Sequence, residues 1–472
     1  MGFRSVVDRH RLAVLATLAG VWTAATVAVL VDAVSATNVA VGLTEESGDT
    51  EVPTWLFLAT GGGVIGASAI LSMLVTDRAT IDAFHERAVG LTRPGSLRPV
   101  SVALGAVGLG ALGFVIVVGL VGPRLGSLSA AVLLTFVGVR AGLTIVAYTI
   151  GNPWPALNPW RRIAEVLPNG HCEYPAWLGT WPAVAGVLGF VWLEIVTPLS
   201  SSARALAALV IVYTVFTVAG AVVFSPAKWF ERADPLSVWF RFYGAVAPIQ
   251  RTADGISLRP PGSELARNDV LTDLSGVAFA IALVWELTYS GFVVTPAGAT
   301  VIKALVNVGV PAPLAYLLVL VLGFGICCWV YWLAAGRTRE RADTYLSQRY
   351  LAIRFAPPLV AIAAGYHFAH YAGFTVSLLP SVQQTLAAPL SPHPNPTVLS
   401  LPWWFDHVEV AGILLGHVLA IWVAHTVSFE CFTGRLQAIR SQFPFVLVMI
   451  VFTMVSLALI ASSTVQPPYT PG

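Results

Sequence analysis

Charge is what this sequence has least of. Asp, Glu, Lys and Arg make up 11% of its 472 residues, about half the share found in a soluble domain. Hydrophobic residues make up 56%, so lipid has to solvate most of the chain. Cysteine is equally scarce. Cys172, Cys327, Cys328 and Cys431 form no CxxC pair, and two of them are adjacent inside an apolar run, which argues against structural disulfides. No zinc-finger spacing is present, nor a P-loop, nor a GxGxxG opening a helix after a strand. Those absences exclude a nucleotide-driven motor and leave no nucleotide or nucleic-acid partner to expect. No internal repeat of the kind that marks many transporters is visible. The connecting segments are too short to hold an appended soluble domain.

What is present is a series of long apolar runs. A spanning helix needs about 20 mostly apolar residues, and eleven segments qualify: 12–34, 52–76, 100–122, 128–150, 178–199, 204–225, 271–295, 312–335, 356–379, 408–430 and 443–463. The first follows Arg4, Arg9 and Arg11 and ends near the "VSA" at Val34–Ala36. Its length favours a retained anchor over a cleaved signal peptide. The fold expected is therefore an all-α, polytopic transmembrane bundle of about eleven spans in a single membrane domain, with the lipid bilayer as its partner.

Orientation follows from the basic residues, because cytoplasmic segments retain Lys and Arg. With the N-terminus inside, the inner segments hold 22 of the 26. Arg124, Arg204 and Lys303 fall outside and Arg140 falls within a span, while the first outer loop carries Glu45, Glu46, Asp49 and Glu51. The expectation is N-terminus in, C-terminus out. The longest inner segment, 226–270, contains "ADPLSVWFRFYGAVAPI". Asp234 suits an N-cap and Pro235 the first turn, and the aromatics beside Arg241 predict a helix lying in the headgroup plane.

Several motifs carry a resemblance. "VPTWLFLATGGGV" near the second span, "GNPWPALNPWRRI", "GFVWLEIV", "LRPPGS", "YHFAHY", "GHVLAIWVAH" and "RSQFPFVLVMIVFTM" occur in that order along the chain. Together they resemble a family of multi-spanning prokaryotic membrane proteins commonly labelled fenitrothion hydrolase. The resemblance implies a multi-pass protein of a prokaryotic cell membrane and a metal-dependent hydrolase acting on phosphate esters. The sequence departs from the family's pattern at "ELTYSGF" in the seventh span and at His425-Thr426 in the tenth.

The intramembrane polar residues are the richest signal. Counted from the outer end of each span, His370, Glu286, His417 and Arg140 lie roughly nine to twelve residues in, one layer about 5 Å thick at ~1.5 Å per residue. Glu194 is shallower and His367 one turn deeper. Ionisable groups at such depth face the bundle interior and pair with one another. Arg140 with Glu286 or Glu194 reads as a buried ion pair, and the three are also the candidate catalytic groups. His370 and His417, on consecutive spans, are expected to meet across their interface, with metal or haem ligation, structural hydrogen bonding and proton transfer all open to them. His367 and His425 complete the candidate metal set. Asn158, Trp160 and Arg161 form either a capped turn at an inner helix end or an anion-binding cofactor site.

Three functions follow from that layer. A metal-dependent hydrolase needs at least three His, Asp or Glu ligands around a divalent ion such as zinc. A haem or copper redox protein needs facing imidazoles. A transporter would use the same residues as a relay.

Overall fold

The computed structural model describes residues 54–92, 98–252, 255–267, 270–460 and 462–471. The expected first span at 12–34, its flanking Arg4, Arg9 and Arg11, the "VSA" at 34–36, the acidic segment 45–51 and Arg93 lie outside the described residues.

The regular structure of the described chain is nearly all helical. Its main helices are α1 (Thr54–Ser72), α2 (Arg98–Val121), α3 (Ala130–Thr149), α4 (Trp181–Val196), α5 (Ala203–Phe224), α6 (Pro235–Gly244), α7 (Leu274–Val293), α8 (Ala312–Ala342), α9 (Pro357–Ala387), α10 (Phe405–Cys431) and α11 (Arg435–Ile460). Among the described residues, eight helices are long and apolar enough to cross a membrane: α2, α3, α5, α7, α8, α9, α10 and α11. The segment expected at 52–76 yields α1, Thr54–Ser72, and that expected at 178–199 yields the shorter apolar helix Trp181–Val196. Lipid leaves no other way to satisfy backbone polar groups than a helix or a closed barrel, so apolar runs of this length become helices.

Two helices form the centre. The apolar windows of α7 and α9 are 89% buried, against 17% for α8, so α7 and α9 are enclosed while α8 lies at the periphery. α9 and α10 pack closely because Gly365 meets Gly412 and Gly416. A Cβ on Gly416 would stand 2.7 Å from the Ala361 carbonyl, and one on Gly365 would stand 2.6 Å from the Gly412 carbonyl. Small residues spaced four apart are what lets two membrane helices approach this nearly. At the opposite end of α10, Arg78 donates to the carbonyls of Phe429 and Phe432, and to that of Thr433 at 3.1 Å. Those are carbonyls at the helix C-terminus, where no intrahelical partner remains.

α6 is more enclosed than a helix lying on a surface. It has the predicted start: the Asp234 side chain accepts from Ser237 N at 2.7 Å and Pro235 occupies the first turn. Its aromatic rings are enclosed by protein. Trp239, Phe240, Phe242 and Tyr243 are all buried, and Trp239 donates to Thr144 of α3 at 3.1 Å. α6 packs its rings into the bundle, while its Arg241 is only half-buried. A small antiparallel sheet accompanies it, β1 (Val89–Gly90), β2 (Ile249–Thr252) and β3 (Gly255–Leu258), in the order β1-β3-β2.

Candidate functional site

The site is built on α3, whose winding is unusual. Residues Leu134–Leu143 form a π-helix between two short α-helical ends. π-Turns are rare and cluster at functional positions, because the wider winding re-aims side chains and strains the backbone ladder. Here the wide turns carry Arg140. Its Nη1 donates to Glu194 of α4 and its Nη2 to Glu286 Oε2 of α7 at 3.3 Å. The expected buried ion pair is thus a three-member bridge joining three helices. The guanidinium also stands over the Tyr371 ring of α9, 5.5 Å from its centroid, close enough for a cation–π contact.

His367 supports the same turn from behind. Its Nε2 lies 3.2 Å from the Arg140 carbonyl, and because a carbonyl only accepts, Nε2 carries the proton. Nδ1 then accepts from the Tyr148 hydroxyl at 3.3 Å. Both nitrogens hold hydrogen bonds, and the ring packs against Tyr371, Tyr243 and Trp239. His367 is a strut for the Arg140 backbone.

The other histidines are dispersed. His370 is buried and meets the Tyr371 ring edge-to-face at 5.0 Å. His417 gives its Nδ1 proton to the Ile413 carbonyl one turn back, at 2.8 Å. With Gly416 against Ala361 and Gly365, His417 stands level with residues 361–365 of α9. That puts it roughly seven residues, or about 10 Å, from the level of His370. His425 lies toward the opposite end of the bundle, where Nε2 donates to the Val75 carbonyl at 2.7 Å and Nδ1 faces the Gln442 amide at 3.2 Å. Among the described residues no three His, Cys, Asp or Glu side chains converge as a metal would require. The structure does not bring His367, His370, His417 and His425 together among the described residues: each ring has its own surroundings, and His370 and His417 stand about two turns apart along their helices.

Asn158, Trp160 and Arg161 also separate. Asn158 caps the short helix Pro159–Val166 by accepting from Arg161 N at 3.0 Å, and its amide donates to Ser237 at 2.9 Å. Arg161 bonds Glu165 at 2.8 Å on the same helix. The capped turn is present, and the Arg161–Glu165 pair lies at the half-exposed surface of its helix. Trp160 alone reaches the feature that sequence gave no sign of.

That feature is a cavity of about 420 Å³ between α2, α3, α4, α5 and α6. Its walls are almost wholly apolar, with Val115, Phe136, Phe190, Leu206, Trp160 and Phe240 among them, and the polar trio Arg140, Glu194 and Glu286 reaches the same space. Glu286 Oε1 is buried there with no hydrogen-bond partner. Sequence reasoning missed Tyr148, Trp239, Tyr243 and Tyr371, which pack around His367, with Tyr371 also beneath the Arg140 guanidinium. It also missed Glu409, buried at the start of α10 and accepting from Gly373 N at 3.2 Å. No family model, curated protein or solved structure matches the chain.

Proposed function

We propose that this chain is an integral membrane protein that admits a lipid-soluble organic molecule to the cavity between α2 and α6 and presents an ionic wall to that molecule's polar group. The observation that carries the reading is the coincidence of the Arg140–Glu194–Glu286 bridge with an apolar space of about 420 Å³. Ligand sites are typically apolar pockets of ~300–1,000 Å³ with a few convergent polar groups, and ionisable residues inside a membrane mark such sites. We propose eleven spans for the whole chain, with the N-terminus inside and the C-terminus outside. The weight of Lys and Arg in the inner segments supports this topology.

The test is to fill the space. Ala111 of α2 lines the cavity, and Ala111→Phe should remove binding of a radiolabelled naphthalene probe to the protein in nanodiscs while leaving its melting temperature in place. Saturable probe binding that survives Ala111→Phe unchanged would refute the reading.

A second reading is favoured by the unpartnered Glu286 oxygen. Resemblance to the fenitrothion-hydrolase-like family suggests turnover of a lipophilic phosphotriester. In that case Glu286 takes a proton from water, the resulting oxygen nucleophile attacks phosphorus, and Arg140 stabilises the developing oxyanion while the aryloxide leaves. Release of the phenol by purified protein, abolished by Glu286→Gln, is the outcome this reading requires.

A further inference from the structure

We infer that the molecule this cavity takes is a lipophilic amine, held as its ammonium form between Glu286 and the aromatic wall. The inference rests on the cavity reading above and narrows it to one class of ligand.

Two independent features lead there. The first is charge. One guanidinium faces two carboxylates at this wall, so a trio ionised throughout carries one negative charge without a counterion, in surroundings where an uncompensated charge is very costly. The shortfall sits at Glu286, whose Oε2 is bonded to Arg140 and whose Oε1 has no partner. The second feature is the use already made of the donors around the cavity. Trp154 donates to Ser237 at 3.3 Å, Trp160 to Thr214 at 2.8 Å and Trp239 to Thr144 at 3.1 Å. The Tyr213 hydroxyl donates to Asp234, and that of Thr135 to the Ala131 carbonyl at 2.8 Å. These rings line the cavity with their polar hydrogens engaged elsewhere, so what they offer a ligand is their π-surface. Arg140 Nε–H is also without a partner. It shares a guanidinium edge with the Nη2 that serves Glu286.

An unpartnered acceptor oxygen with excess negative charge, at a cavity also lined by indole and phenol rings, selects a cation with an apolar body. An anion would meet two carboxylates. A neutral molecule of the same shape would leave the extra charge unanswered. The alternative occupant is a proton, which would leave Glu286 neutral and the cavity indifferent to ligand charge.

The experiment compares two radiolabelled probes of nearly identical shape, N,N-dimethyl-1-naphthylmethylamine and its uncharged carbon isostere 1-isobutylnaphthalene, on full-length protein in nanodiscs at neutral pH. The amine should bind on the order of tenfold more tightly. Glu286→Gln should bring the amine down to the level of the isostere while leaving the isostere within about twofold. In the wild-type protein the preference should also vanish when the pH is raised above the amine's own pKa, a measurement that needs no variant to fold. Equal binding of both probes to the wild type would overturn the inference and leave the cavity reading standing. Binding of neither probe would overturn the cavity reading itself.

Discussion

Arg140 shows what a single side chain decides. It joins α3 to α4 and α7 through two carboxylates buried in an apolar interior, so its removal leaves both without their cation. Breaking a buried pair in this way costs roughly 3–5 kcal/mol. Arg140→Ala should lower thermal stability in detergent by that order, and Arg140→Lys should recover only part because an ammonium lacks the planar fork that reaches two partners. A triple variant, Arg140→Met with Glu194→Gln and Glu286→Gln, removes the charges together and should melt closer to the wild type than Arg140→Ala does. If Arg140→Ala melts with the wild type, the bridge has no structural role. Much of this was legible in the sequence, since an arginine in the middle of an apolar run must find a carboxylate and few are available at its depth. Sequence gave no hint that it would take both. The supporting rings were also illegible: Tyr148, Trp239, Tyr243 and Tyr371 sit in segments where aromatic residues are common, and nothing in their spacing separates a strut from a filler.

The helices themselves were readable wherever length and apolarity sufficed, and their ends were not. α9 runs to Ala387 and α10 starts at Phe405, so depths counted from expected ends at 379 and 408 placed His370 and His417 on one level. The glycine contacts set them about two turns apart. The π-winding of α3 was equally invisible, because no local propensity separates a π-turn from an α-turn. α6 was identified as a helix, but its enclosure between α3 and α9 was not, since a short aromatic segment gives no sign of its neighbours. The α9–α10 contact gives a test at this scale. Gly416→Ala should destabilise by a few kcal/mol, because the new Cβ meets the rigid Ala361 carbonyl and overpacking of this kind costs ~1–3 kcal/mol or more. Gly113→Ala on α2, where nothing lies within 4 Å, should be neutral or slightly stabilising. Equal melting temperatures for the two variants would show that the glycine contact does not set the α9–α10 distance.

For the whole molecule, composition alone was enough to say that this is a membrane bundle, because so few charges cannot clothe a soluble surface. The sidedness we propose is tested at Tyr345, which is fully exposed between α8 and α9. Tyr345→Cys should resist an impermeant thiol reagent in intact cells and react after permeabilisation, and labelling of intact cells would invert the topology. The burial of α6 has a consequence for how such a chain is made. Ten residues are too few to cross a bilayer, so an inserting machine has no reason to place α6 in the membrane as a span of its own. Its contacts reach back to α3 and forward to α9, since Trp239 and Tyr243 pack against His367. The forward partner is synthesised more than a hundred residues later. Until α9 is made, Trp239 and Tyr243 lack the His367 ring they pack against, so the contacts of α6 are completed only when α9 joins the bundle.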